Sequence, residues 1–191
     1  TIAKDHTGKL FPDTYFISTN TTPKELVDLQ LKTFTQKVSN LQNNTDLIHQ
    51  IKIVTNNFQA GNFIDAISKS KKLLHKIPNN EFLLNIIGLS YLNLGRLDDA
   101  KNLYLKIIKQ TPKITSFKNN YANVLKALDK FDEAEKILNE LIKSSPNYIN
   151  AINNLANLKK DLKDFERSIE LLNKALAIEP KNITVLYNLA L

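Results

Sequence analysis

Four prolines, Pro78, Pro112, Pro146 and Pro180, follow one another at steps of 34 residues, and this period constrains the chain more than any other feature. Self-similarity at a fixed step of a few tens of residues means a fold made by stacking one supersecondary unit. With proline at position 32, four complete units appear at 47–80, 81–114, 115–148 and 149–182, and a fifth starts at Ile183 and spans nine residues. Position 8 then holds Val54, Gly88, Ala122, Ala156 and Ala190, small in four of five. Position 20 holds Ala66, Ala100, Ala134 and Ser168, and position 17 holds Phe63, Leu97, Phe131 and Phe165. Each unit carries two stretches with apolar residues at helical spacing. In the second unit these are Leu83, Leu84, Ile87 and Leu94, then Leu97, Ala100, Leu103, Tyr104, Ile107 and Ile108. Position 15, where the first helix must turn into the second, is Gly61 and Gly95 in units one and two, then Asp129 and Lys163. Glycine enters the left-handed conformation of such a turn freely, and aspartate tolerates it better than lysine. The prolines fall where the second helix must stop. A single helical hairpin cannot bury its own apolar face, so neighbouring hairpins supply the core.

In these columns the sequence resembles the tetratricopeptide repeat family over residues 47–191. The resemblance implies an all-α fold, a right-handed α-α superhelical solenoid whose units each contribute a helix A and a helix B. It departs from the family pattern at position 4, which is Gln50, Leu84, Lys118, Ile152 and Leu186 rather than tryptophan, and at position 11, which is aromatic only at Tyr91.

Upstream, Thr22-Pro23-Lys24-Glu25 reads as a helix start: a capping hydroxyl, proline at the first helical position and a glutamate completing a capping box. Val27, Leu31, Phe34, Val38 and Leu41 follow at alternating spacings of four and three and form one apolar stripe. An N-terminal capping helix within residues 23–46 is therefore expected to cover the first repeat, in preference to a coiled-coil dimer helix, since the stripe is under three heptads. Residues 1–22 are read as an irregular extension in which Leu10, Phe11, Tyr15, Phe16 and Ile17 could dock elsewhere. Downstream, Leu186, Leu189 and Ala190 are expected to lie open on a half-hairpin. That predicts further repeats beyond Leu191, or self-association through the open repeat.

Chemistry finds little foothold. The chain has no cysteine, which removes disulfides and thiolate metal sites and fits a reducing compartment. His6, His49 and His75 lie in different elements without metal-ligand spacing. Acid pairs such as Asp98-Asp99 and Asp132-Glu133 sit at the start of helix B, where negative charge suits the helix dipole. There is no glycine-rich phosphate loop, secretory leader or apolar run long enough for a bilayer. The expectation is a soluble, cytoplasmic, non-catalytic segment without cofactor or metal. Net charge is +7, all of it in 47–191, because residues 1–46 carry five lysines against five acids. The lysines spread around the helices and do not gather on one face, which argues against nucleic acid.

In the family resembled, helix A lines the concave surface at positions 2, 5, 6, 9, 12 and 13. Position 6 is Asn120, Asn154 and Asn188 in units three to five, against Lys52 and Ile86 in units one and two. Positions 5 and 9 add Asn119, Asn153, Asn123 and Asn157, and position 12 brings Lys126 and Lys160 to the same helix face. An asparagine amide both donates and accepts, so it can grip a peptide backbone without reading side chains. With helices about 8–10 Å apart and an extended ligand advancing about 3.3 Å per residue, each rung meets about every third ligand residue. The position-6 column is similar to the asparagine ladder of O-linked N-acetylglucosamine transferases, which holds extended substrate peptides. By that resemblance Asn120, Asn154 and Asn188 are expected to contact a peptide backbone. Asparagine makes up about one residue in eight of the chain, so composition alone supplies part of the pattern.

Chaperone-binding members of the family use a clamp of Lys and Asn at positions 5 and 9, Asn at position 6 of the next unit, and basic residues at positions 2 and 6 of the third. Read from unit one, those positions are Ile51, Thr55, Ile86, Ser116 and Asn120. Read from unit three they are Asn119, Asn123, Asn154, Thr184 and Asn188. Every basic position fails. The sequence therefore points to a scaffold that binds an extended peptide of a protein partner. The alternative is a substrate-presenting, non-catalytic arm of a larger transferase-type enzyme continuing past Leu191.

Overall fold

The computed structural model describes residues 45–190, and within them the chain is α-helical throughout, with no strand. The extension expected over 1–22 and the capping helix expected within 23–46 lie outside the described residues, except that Thr45 and Asp46 open the first helix. The helices are α1 (Thr45–Gln59), α2 (Phe63–Lys76), α3 (Glu81–Asn93), α4 (Leu97–Gln110), α5 (Thr115–Ala127), α6 (Phe131–Ser144), α7 (Ile149–Asp161), α8 (Phe165–Ile178) and α9 (Ile183–Ala190). Odd-numbered helices are the A helices of the repeat and even-numbered ones the B helices.

Local chemistry fixes where each helix begins and ends. Helices α2, α4, α6 and α8 stop at Lys76, Gln110, Ser144 and Ile178, each two residues before one of the four periodic prolines. Proline lacks the N–H that would continue the ladder, and it pushes the residue before it out of helical conformation. Asn80 caps α3 by accepting from the Leu83 N–H at 3.0 Å, and Asn182 caps α9 from Val185 at 3.1 Å. Between A and B helices the turn is the same in all four repeats. Gly61, Gly95, Asp129 and Lys163 have φ of 77°, 70°, 58° and 63°, in the left-handed region. The next residue then donates back across the helix end: Asn62 to Asn57, Arg96 to Tyr91, Lys130 to Leu125 and Asp164 to Lys159, each at 2.8–2.9 Å. This closure satisfies carbonyls that would otherwise be orphaned.

The described residues divide into two compact units, one ending at Ala100 and the other beginning at Lys101. In the first, α2 packs against both α1 and α3 around Ile51, Val54, Phe58, Ala66, Leu73, Leu83 and Ile86. Phe58 meets Phe63 edge-on at 5.6 Å, and Arg96 lies over the Tyr91 ring at 4.6 Å. In the second, each helix from α5 to α9 packs on the next, and α5 also touches α7. Ala122, Ala134 and Ala156, at the small columns of the repeat, are completely buried, which is what lets paired backbones approach. Tyr104 of α4 packs against Phe117 of α5 with ring centres 6.4 Å apart. Helix α7 is buried at every residue from Ala151 to Leu158. Eight successive helical residues point in all directions around the axis, so α7 is enclosed on every side.

Lys163 is the residue least suited to its backbone. A side chain in the left-handed region costs about 1–2 kcal/mol, and glycine returns part of that as unfolded-state entropy. Lys163→Gly is expected to raise stability by about 0.5–1 kcal/mol, read from the urea midpoint at constant slope.

Candidate functional site

The asparagines singled out by the repeat columns lie on three A helices of the second unit: Asn119, Asn120 and Asn123 on α5, Asn153, Asn154 and Asn157 on α7, and Asn188 on α9. The structure joins them in pairs. Asn154 Nδ2 donates to Asn119 Oδ1 at 3.0 Å, and Asn188 Nδ2 donates to Asn153 Oδ1 at 2.8 Å. Each pair spans 35 residues, one repeat plus one, so position 6 of one unit reaches position 5 of the unit before it. All seven asparagines are buried, with exposures from 0% to 8%. A buried amide without a partner costs about 1–3 kcal/mol, so these cross-repeat bonds hold neighbouring A helices in register as well as in contact.

The pairs use only part of each amide. The Oδ1 atoms of Asn154 and Asn188 are closed to solvent and accept no hydrogen bond. The Asn157 side chain forms no hydrogen bond among the described residues, and neither of its polar atoms is among the sealed, unpartnered ones. Asn120 lies beside Tyr104, a residue on a B helix that the A-helix columns do not reveal. Complete burial pushes the Tyr104 phenol well above its usual range, and the Asn120 amide offsets part of that, although no well-formed hydrogen bond joins the two.

The two lysines of position 12 differ. Lys126 Nζ is bound to Asp161 of α7 at 2.8 Å, a half-exposed pair that ties α5 to α7. Beside it Lys159 Nζ reaches Glu135 of α6 at 2.6 Å. Lys160 is half-buried and joins none of the ion pairs among the described residues. Lys126 is thus held by its own chain, where helical periodicity alone had grouped it with Lys160. Opposite charges 35 and 24 residues apart are the signal in the sequence for these bonds. It becomes readable only once the repeat register is known.

No group of His, Asp or Glu among the described residues could hold a metal ion, and no helix among them is long and apolar enough to cross a membrane.

The profile of the tetratricopeptide repeat matches residues 83–114, 116–148 and 149–182. Solved structures share the architecture. A thermophilic tetratricopeptide repeat protein of Thermus thermophilus superposes with a TM-score of 0.69 at 18% identity, covering 86% of this chain and 89% of that one. MamA from Desulfovibrio magneticus gives 0.56 at 21% identity, covering 73% and 79%. The first such domain of Spaghetti (RPAP3), bound to the HSP90 peptide SRMEEVD, gives 0.50 at 24% identity, covering 56% and 86%. At these identities the likeness is one of fold. No curated protein matches the chain in sequence.

The cross-repeat bond has a measurable signature. Asn154→Ala is expected to lower stability by about 1–3 kcal/mol, because it strands the Asn119 acceptor. A double-mutant cycle of Asn119→Ala with Asn154→Ala in chemical denaturation should give a coupling of about 1 kcal/mol.

Proposed function

Because the chain belongs to the tetratricopeptide repeat family, we propose that it is a scaffold that holds another protein, gripping an extended peptide segment along the asparagine face of α5, α7 and α9. The observation that supports this most is the pair of sealed, unpartnered oxygens, Asn154 Oδ1 and Asn188 Oδ1, one repeat apart. Native proteins leave few buried acceptors unmade, and a recurrence at the same repeat position needs a reason. A peptide N–H supplies the missing donor. Each Asn Nδ2 carries two hydrogens and spends one on the preceding repeat, which leaves one for a peptide carbonyl. Asn119, Asn123, Asn153 and Asn157 flank these contacts, Asn120 extends the row, and Lys160, with Lys126 beside it, places positive charge at the rim.

Recognition of this kind reads the backbone of the ligand, so side-chain preference is loose and the peptide must be extended. All seven asparagines are buried, so a ligand reaches them only once whatever lies over them is displaced. That slows association relative to the roughly 10⁵–10⁷ M⁻¹s⁻¹ typical of docking without a conformational change. The RPAP3 domain holds an acidic peptide of HSP90. In this chain the positions that would carry a clamp's basic residues are Ser116 and Asn120, or Thr184 and Asn188, so a chaperone tail is not the ligand proposed.

The test begins with peptides selected on the full chain. N-methylation of the best ligand at successive residues should weaken binding about every third residue, as rungs one helix apart demand. Asn157→Ala combined with Lys160→Glu is expected to lower affinity about tenfold or more, with the melting temperature unchanged. Binding indifferent both to N-methylation and to these substitutions would remove the asparagine face from the proposal.

A further inference from the structure

Position 9 of the repeat falls at the middle of the asparagine face. On α7, Ile152, Leu155 and Ala156 form one arc of the helix, and Asn153, Asn154 and Asn157 form the arc opposite. Asn154 and Asn153, at the two edges of that arc, reach α5 and α9. Asn157 lies between them and faces neither. It is nonetheless only 8% exposed, and Asn123, at the same position of α5, is 4% exposed. The helices α5, α6 and α8 pack on α7, and α9 reaches it through Asn153. An A helix with A helices on two sides and B helices on a third keeps its fourth side open unless something lies along it. The burial of Asn123 and Asn157 therefore requires chain over that fourth side.

Residues 1–44 precede the described helices, and within them Leu10–Thr22 has the chemistry for that place. Its thirteen residues carry one charge, Asp13, whereas α5, α7 and α9 carry four lysines against Asp161 alone. Opposite charge favours the pairing. Pro12 opposes helix, and Thr14, Tyr15, Phe16, Ile17 and Thr19 are residue types that favour extended backbone. Extended, a segment of this length spans about 40 Å, and the two steps from α5 to α9 need about 20 Å. Phe16, Ile17 and their apolar neighbours supply surface whose removal from water drives docking. The flanking stretches suit the place less. Residues 1–9 carry Lys4 and Lys9, and the apolar stripe from Val27 to Leu41 has helical spacing.

We infer, resting on the reading of this face as a peptide site, that Leu10–Thr22 lies extended across the asparagine face of its own chain, an intramolecular occupant that an incoming peptide must displace. A tether holds such a segment at an effective concentration in the mM range, so a loose fit is enough to close the face. The fit leaves room for a better ligand. Asn154 Oδ1 and Asn188 Oδ1 are sealed without a donor, and a peptide that brings an N–H to each gains what the tethered segment does not. The segment thereby sets a threshold that a partner's peptide has to exceed.

Two measurements on the full chain test this. The sequence has no cysteine, so Ser18→Cys gives a single site for a nitroxide label. The expected result is selective broadening of the Asn123 and Asn157 side-chain amide resonances, unchanged on dilution and relieved when the nitroxide is reduced. The second is an anisotropy titration with a fluorescent peptide of residues 10–22. A full chain carrying Phe16→Ser and Ile17→Ser is expected to bind it about tenfold tighter than the wild-type chain, whose own segment competes. Should that double variant not fold, the label alone decides. Asparagine amides no broader than the amides of α6 and α8 overturn the inference, and so does a peptide that binds both chains alike or neither. Those failures leave the peptide-binding proposal to its own test with selected peptides. Selective broadening in a chain that no selected peptide binds keeps the segment on the face and removes that proposal instead.

Discussion

Each helical hairpin in this chain has an apolar face that it can cover only with the next hairpin. The close approach of helices that makes this possible depends on small side chains at the crossing, Ala122, Ala134 and Ala156 among them, all without exposed surface. It depends equally on the left-handed turn between A and B helices, which has the same backbone form in all four repeats. Lengthen one helix or enlarge one of these alanines and the faces no longer meet. Overpacking at such sites typically costs about 1–3 kcal/mol, a large share of the margin by which a domain is stable.

Apolar stacking alone would allow neighbouring A helices to slide, because it is not directional. Two kinds of polar bond oppose sliding of α7 against its neighbours α5, α6 and α9. The asparagine pairs are almost fully buried, so breaking one strands an amide at about 1–3 kcal/mol. The Lys126–Asp161 and Lys159–Glu135 pairs have side chains 15–33% exposed, and ion pairs near water contribute at most about 1 kcal/mol. The asparagines therefore set the register and the ion pairs reinforce it. The same amides keep unused hydrogen-bonding capacity, so one row of residues serves both assembly and, as proposed here, recognition.

On the proposed reading, the asparagine face would be organised before any ligand reaches it. Its polar groups are already spaced by the repeat and held rigid by their neighbours, so a ligand that reaches them loses little to reordering the site. The cost lies in opening a closed face. Selectivity would then come from which segment can lie extended along it, more than from complementary side chains.

The helices and their boundaries could be read directly from the residues, because proline at position 32, the turn residue at position 15 and the apolar periodicity act within a few residues of themselves. Pro78 stops α2 whatever the rest of the chain does, and Gly61 turns left-handed for reasons carried in its own backbone. The asparagine columns could be located in the same way, but their bonds could not. Asn154 spends an Nδ2 hydrogen on Asn119, 35 residues away on another helix, and Lys126 is claimed by Asp161 across the same gap. Nothing near Asn154 or Lys126 in the chain fixes those partners. Only the stacking of one hairpin on the next brings the groups within reach, and that distance decides which amides are spent and which oxygens are left without a donor.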